Sequence, residues 1–400
     1  MKCALIGPVY PYRGGIAHYT TLLSQALQRH NVDLLLISFA RQYPQWLFPG
    51  RTDRDPSATP FATTAAHYWI DSLNPFTWLF SFARIRRYRP DLIILQWWTL
   101  FWFPIWWCLL WLNRMFLGAP VLWICHNVLP HEPSWLDRFA ARALLRFGCR
   151  VIVHSAAEAE TLHRLLPHLS YTIVEMPAFP IFGKAIDRST ARDRLKLSTN
   201  HRVLLFFGIV RPYKGLSDLL QAMSLICHAM RDEIDGKCQG DAAPVTLLIA
   251  GEFWQKQKTE ILAQIAALGL PTGAVIIDDR YIPDEEVSTY FAAADLLVAP
   301  YRQVTGSAVI QSALQWGLPI VTTTIVRDTL PAAQAQTIVG WAAPNDPAAL
   351  AAAVVDALTE TVTVVDNSAA APGLCCGYRK LLGSYCGCCT ENGLPARLAE

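Results

Sequence analysis

Short apolar runs with almost no polar alternation recur along the whole chain. KCALIG, VDLLLIS, DLIILQ, PVLWIC and RVIVHS lie in the first half, and RVLLFFG, VTLLIAG and DLLVAP in the second. A strand with one solvated face alternates apolar and polar residues. A run that does not alternate must be buried on both faces, as in a parallel sheet covered by helices. Helical periods fill the intervals. GGIAHYTTLLSQALQRH, for example, places Ile16, Tyr19, Leu23, Ala26 and Leu27 on one face. The pattern predicts α/β architecture, doubly wound, in both halves.

Four hundred residues exceed one ordinary core. The pattern breaks at EMPAFPIFG, where Pro177 and Pro180 read as a stiff hinge, and then restarts. Two domains follow, residues 1–180 and 181–360, with an atypical Gly/Cys-rich tail over 361–400. RDEIDGKCQGDAAP, residues 231–244, reads as a polar loop insertion. A net charge of +2 gives no global field for nucleic acid. The opening apolar run is too short for a secretory signal, so a cytoplasmic chain is expected. Cys3, Cys125 and Cys149 lie in or beside apolar runs and read as small buried hydrophobes. Cys375, Cys376, Cys386, Cys388 and Cys389 lack zinc-ribbon spacing. The tail shows no helical period and is expected to be poorly ordered.

Four motifs carry chemistry. GPVYPYRGGIAHY is a strand, a loop ending in Gly14 and Gly15, and a helix, which suits an anion at the helix N-terminus or simply a tight turn. FFGIVRPYKG puts Arg211 and Lys214 in the loop after a strand ending at Gly208; two cations there suit a diphosphate. APYRQVTGSAVIQSALQWGLPIV places Gly306 and Ser307 at a helix start, flanked by Gln303 and Gln311. CHNVLPHE places His126 at a strand end, while His131 and Glu132 lack a third metal ligand at suitable spacing.

In this order and spacing, over about residues 1–360, the motifs resemble glycosyltransferase family 4, whose GT-B fold sets two Rossmann-like domains face to face across a cleft. The resemblance implies retaining transfer of a sugar from a nucleotide-diphosphate sugar, without a catalytic metal or other cofactor. The acceptor would be a glycan, a lipid-linked sugar or a small molecule. It also implies that Gly14 and Gly15 line the donor diphosphate and that Lys214 binds it. His126 would then sit near the transferred sugar, and Gly306 and Ser307 would lie against donor sugar or phosphate.

The chain departs from the family at three places. Ile209 stands where the family often has Arg, so Arg211 is the candidate substitute. Gln303 and Gln311 stand where the family has its Glu pair. The tail is the third. A double displacement would need a carboxylate nucleophile, and neither position offers one. Same-face transfer needs none, because the leaving diphosphate takes the acceptor's proton while cations and amides stabilise its charge. Gln303 can still bond sugar hydroxyls and Gln311 a ribose. Two other readings stay open: a catalytically inactive GT-B scaffold, and a nucleotide-sugar epimerase, which lacks a carboxylate pair for proton transfer.

Residues 92–113 hold 22 consecutive uncharged residues, long enough to span a bilayer. Pro104 divides the run, and its first part is a strand of the same sheet as PVLWIC. The expectation is a strand over 91–96, a loop over 97–103 and a helix over 104–117. Arg84, Arg86, Arg87 and Arg89 lie just upstream. Tryptophan at headgroup depth and clustered arginine together suit an anionic membrane surface, with part of the stretch in the core.

Overall fold

The computed structural model describes residues 1–359 apart from 45, 47, 49, 61, 131, 132, 177–185, 234–243, 255 and 256. The hinge segment, the centre of the loop insertion, the His131–Glu132 pair and the cysteine tail therefore lie outside the described residues. The chain divides into two compact units. Among the described residues, one comprises 1–55 and 62–176; the other comprises 56–60 and 186–359. The short excursion belongs to the second unit because Ser57 Oγ accepts from the Asp284 amide at 2.9 Å. The Ala58 amide in turn donates to Glu285 at 2.9 Å.

The N-terminal unit runs β1 (Lys2–Ile6), α1 (Gly15–Arg29), β2 (Asp33–Arg41), β3 (His67–Asp71), α2 (Pro75–Tyr88), β4 (Leu92–Trp97) and α3 (Phe103–Phe116). It continues with β5 (Val121–Cys125), α4 (Trp135–Leu145), β6 (Arg150–Val153), α5 (Ala156–Leu165) and β7 (Tyr171–Ile173). Its seven strands are all parallel in the order β3-β2-β1-β4-β5-β6-β7. All residues of β4 and β5 are buried, as unalternating runs require. The aromatic stretch serves this core: Trp102, Trp106 and Trp123 are fully buried, and the rings of Trp106 and Trp123 meet edge to face at 6.3 Å. Cys3 and Cys125 are buried thiols, whereas Cys149 is half-buried and not among the free thiols. No described helix is long and apolar enough to cross a membrane.

The second unit runs α6 (Arg188–Arg194), β8 (Arg202–Phe207), α7 (Leu216–Glu233), β9 (Val245–Ala250), α8 (Gln257–Leu268), β10 (Val275–Asp278) and α9 (Asp284–Ala293). It continues with β11 (Leu296–Ala299), α10 (Ala308–Trp316), β12 (Ile320–Thr323), α11 (Ala332–Ala335), β13 (Gly340–Ala342) and α12 (Pro347–Thr359). Its parallel sheet has the order β10-β9-β8-β11-β12-β13. In both sheets the order reverses once, between β1 and β4 and between β8 and β11. In open α/β sheets ligands bind beyond the strand C-termini at such reversals. Both Rossmann-like domains of a GT-B fold are thus present, each with its crevice position defined by topology.

Candidate functional site: two strand-end clusters

In the second unit, three strand ends are drawn together by glycines that admit no side chain. Gly215 has φ +72°, and a Cβ there would lie 1.8 Å from the Pro300 carbonyl oxygen just past β11. Gly251, after β9, would place a Cβ 2.2 Å from the Gly208 carbonyl oxygen after β8. The loop between Gly208 and Gly215 is also tied to the next one. The Tyr213 carbonyl accepts the amides of Arg302 at 2.7 Å and Gln303 at 3.4 Å. Arg302 then grips Asp218 in the first turn of α7 through two bonds of 2.8 and 2.6 Å.

This frame aims Lys214 over Gly208. Its Nζ lies 3.0 Å from where a Gly208 Cβ would be, and Val309 in the first turn of α10 lies 3.5 Å from the same point. An amine, a bare glycine and a helix start therefore converge. Lys214 has no carboxylate partner among the described residues. Burial, and next the charge of Arg211, push its pKa down to about 7. The Arg211 guanidinium lies 3.8 Å from the ring centroid of Trp254, a cation–π contact. Ser307 caps α10: its Oγ accepts from the Ile310 amide at 3.2 Å and shares a 2.8 Å bond with the Tyr301 hydroxyl. Gly306 precedes it, half-buried. The first amides of α10 remain without intrahelical partners and carry the positive end of the helix dipole.

The two glutamines separate. The Gln303 side chain is exposed. Gln311 is buried; its Nε2 donates to Gln334 Oε1 at 2.9 Å, and its own Oε1 has no partner among the described residues. A buried acceptor without a donor is costly unless a bound group supplies one.

In the N-terminal unit, Gly14 caps α1 with φ +101°, a conformation that favours glycine, and an added Cβ would meet nothing within 4 Å. Gly15 opens the helix, and no side chain caps it. His126 follows β5, and its Nε2 lies 2.8 Å from Gln96 Oε1. The proton can be placed. The Thr20 hydroxyl donates to the Ile16 carbonyl and accepts from Gln96 Nε2, so the Gln96 oxygen faces the histidine and His126 Nε2 donates. Burial, and then His154, hold the His126 pKa well below its usual range, so the ring is neutral with a lone pair on Nδ1. The Tyr19 ring meets it edge to face at 5.0 Å. Glu158 fixes the following loop by accepting the Val128 amide at 2.5 Å, and burial raises its pKa to about 7.

Sequence reasoning missed several of these residues. His154 lies 5.3 Å from His126, donates Nδ1–H to the Val174 carbonyl at 2.8 Å and leaves a buried Nε2 unpaired. It ends RVIVH as His126 ends VLWICH, which was the available signal. Trp254 and Gly251 end VTLLIAGEFW in the same manner. Asp218 and Gln334 carry no local signal, because their partners are 84 and 23 residues away.

Residues 14–170 match the family model described as glycosyl transferase 4-like domain, and residues 201–360 match that described as glycosyl transferases group 1. The chain belongs to the group 1, family 4-like glycosyltransferases. Among curated members, a GDP-mannose:glycolipid 4-beta-D-mannosyltransferase of Xanthomonas campestris is 27% identical over 209 residues, covering 51% of this chain and 50% of that protein. A D-inositol 3-phosphate glycosyltransferase of Nocardioides is 34% identical over 157 residues, 36% of this chain and 32% of its own length. The matches thus span half or less of those curated glycosyltransferases. Among solved structures, Anabaena HepE in complex with UDP and glucose superposes with a TM-score of 0.70 at 16% identity, covering 96% of this chain and 99% of that one. That likeness shows the GT-B fold.

Proposed function

We propose that the protein is a retaining glycosyltransferase that moves a sugar from a nucleotide-diphosphate sugar to a glycan, lipid-linked or small-molecule acceptor. The observation that carries this reading is the convergence of Lys214, Gly208 and the start of α10 at the β8/β11 reversal, with no carboxylate neutralising the amine among the described residues. A dianionic diphosphate matches that arrangement in charge. Arg211 and Lys214 supply the positive charge, so the reading assigns no metal. Gln311 presents its unpaired Oε1 to a ribose hydroxyl. Gln303, exposed on the loop beside Lys214, bonds a sugar hydroxyl.

Transfer proceeds on one face of the sugar. The bond from the anomeric carbon to the diphosphate oxygen breaks, and the acceptor oxygen bonds the anomeric carbon from the same side. The acceptor's proton passes to the departing diphosphate, whose growing charge is met by Lys214, Arg211 and the α10 amides. His126, neutral, offers Nδ1 as an acceptor for a hydroxyl and would position rather than titrate. In the N-terminal domain the uncapped start of α1 at Gly14 and Gly15 offers a further anion contact.

One observation favours a second reading. With glutamines at both positions, a scaffold that binds the nucleotide and does not turn it over is chemically consistent. Incubating the protein with UDP-glucose and GDP-mannose, the donor types named for its relatives, separates the two. Release of free sugar with retained anomeric configuration, read by NMR, supports the transferase. Tight binding without release by the folded protein supports the scaffold. Conversion of the donor to an epimer would displace both.

A further inference from the structure

The helices α2, α3 and α4 lie side by side on one face of the N-terminal sheet, and the layer they form is apolar on its outer side as well. On α2 the outward residues include Phe76, 80% exposed, with Leu79 and Phe80. On α3 they are Trp107, Trp111 and Met115, one stripe at a spacing of four. On α4 they are Trp135, 72% exposed, with Leu136 and Phe139. Phe103 bridges the second and third helices, stacked on Trp107 at 5.7 Å and lying 6.3 Å from Phe139. With Phe116, ten of the seventeen exposed large apolar side chains among the described residues sit on these three helices. A patch of that extent on a folded domain marks a surface that something covers.

The charges around the patch say what that is. Arg84, Arg86, Arg87, Arg114 and Arg138 are all exposed, and none of them pairs with a carboxylate among the described residues. Two lie over exposed rings instead: Arg84 is 4.9 Å from the Phe80 centroid and Arg86 is 5.5 Å from that of Phe116. The only acidic residue in the three helices is Asp137, whose carboxylate is engaged with Ser134 in a capping box. Two copies of such a face would bring like charges together, which opposes self-association. Tryptophan rings that seek the headgroup level, rimmed by guanidiniums free to bond phosphate, instead fit an anionic lipid surface.

We propose that the α2–α3–α4 face docks the protein flat on an anionic bilayer, with Trp107, Trp111 and Trp135 at headgroup depth. The proposal stands independently of the reaction. The test uses the full chain with vesicles of phosphatidylcholine alone or of a mixture rich in phosphatidylglycerol. Binding is expected to the anionic vesicles at low salt, with release at high salt, and brominated lipid should quench tryptophan emission of the wild-type protein. Each arginine lost should weaken partitioning about fivefold, so the Arg84→Glu, Arg86→Glu, Arg87→Glu triple variant should bind at least about 100-fold more weakly. Trp111→Ser with Trp135→Ser should bind more weakly and be quenched less. Nucleotide binding should be unchanged in both variants, which also reports that they are folded. Absence of binding to anionic vesicles by the folded wild type would overturn the proposal. So would equal binding by the arginine variant, or a concentration-dependent dimer that the tryptophan substitutions abolish.

Discussion

The role proposed for Lys214 makes donor binding sensitive to pH in a calculable way. In the unliganded protein its pKa is pushed down to about 7, first by burial and then by Arg211. The amine is then about 90% charged at pH 6 and only about 1% charged at pH 9. A diphosphate beside it restores the charged form, so binding takes up a proton above pH 7. A nucleotide sugar has no group of its own titrating on the diphosphate in this range. Its affinity should therefore fall about 50-fold between pH 7 and pH 9, provided the bound amine titrates above about 10. Lys214→Arg should flatten the profile, because guanidinium stays charged throughout. Lys214→Met should bind weakly and without pH dependence. Stability of the unliganded protein has the opposite sign. Its native state binds fewer protons than the unfolded chain between the lowered pKa and the ordinary lysine value of 10.5, so stability should rise with pH across that window. Calorimetric titration of a nucleotide sugar at several pH values, with thermal melts alongside, reads both. A flat wild-type profile, or a pH dependence that survives in Lys214→Met, would refute this account of the site.

Gly251→Ala should destabilise the second domain by about 2–4 kcal/mol, since its Cβ would press on the Gly208 carbonyl oxygen from 2.2 Å; thermal denaturation checks this, and an unchanged melt would mean the two strand ends are not packed as described. Gln311→Glu should tighten nucleotide binding up to about tenfold, because an ionised oxygen accepts a ribose hydroxyl more strongly than an amide oxygen, while the second oxygen takes a bond from Gln334 once that amide turns over. Equal affinity for ribo- and deoxyribonucleotides in that variant would remove Gln311 from the ribose.

Much of the fold was legible in the chain because a parallel sheet writes itself as local pattern. LIILQW and VLWIC predict buried strands from composition alone, and both are buried throughout. The expected helix after Pro104 lies within a residue of α3, since proline at the first turn marks a helix start. The positions of His126, Lys214 and Ser307 in the segments that follow β5, β8 and β11 were equally readable, because each lies between an apolar run and the next helical pattern. By contrast β3 was not foreseen: it is a short, half-exposed edge strand with little apolar signal.

Tertiary structure decided what those positions amount to. That Lys214 stands over Gly208 depends on Gly215 lying against Pro300 and on Arg302 holding Asp218, contacts between segments some 85 residues apart. The neutrality of His126 depends on burial and on His154, and its tautomer on a relay through Gln96 and Thr20, which belong to a different strand and helix. The two glutamines look equivalent in sequence, yet one is exposed and the other buried with an unpaired oxygen. The outward side of the aromatic stretch becomes a patch only because α2 and α4 flank α3 in the same layer. Local pattern sets which segments are strands and helices through burial and period, which neighbours in sequence reveal. Charge state, hydrogen-bond partner and surface continuity are set by groups brought together from afar, and only the folded chain holds them within reach of one another.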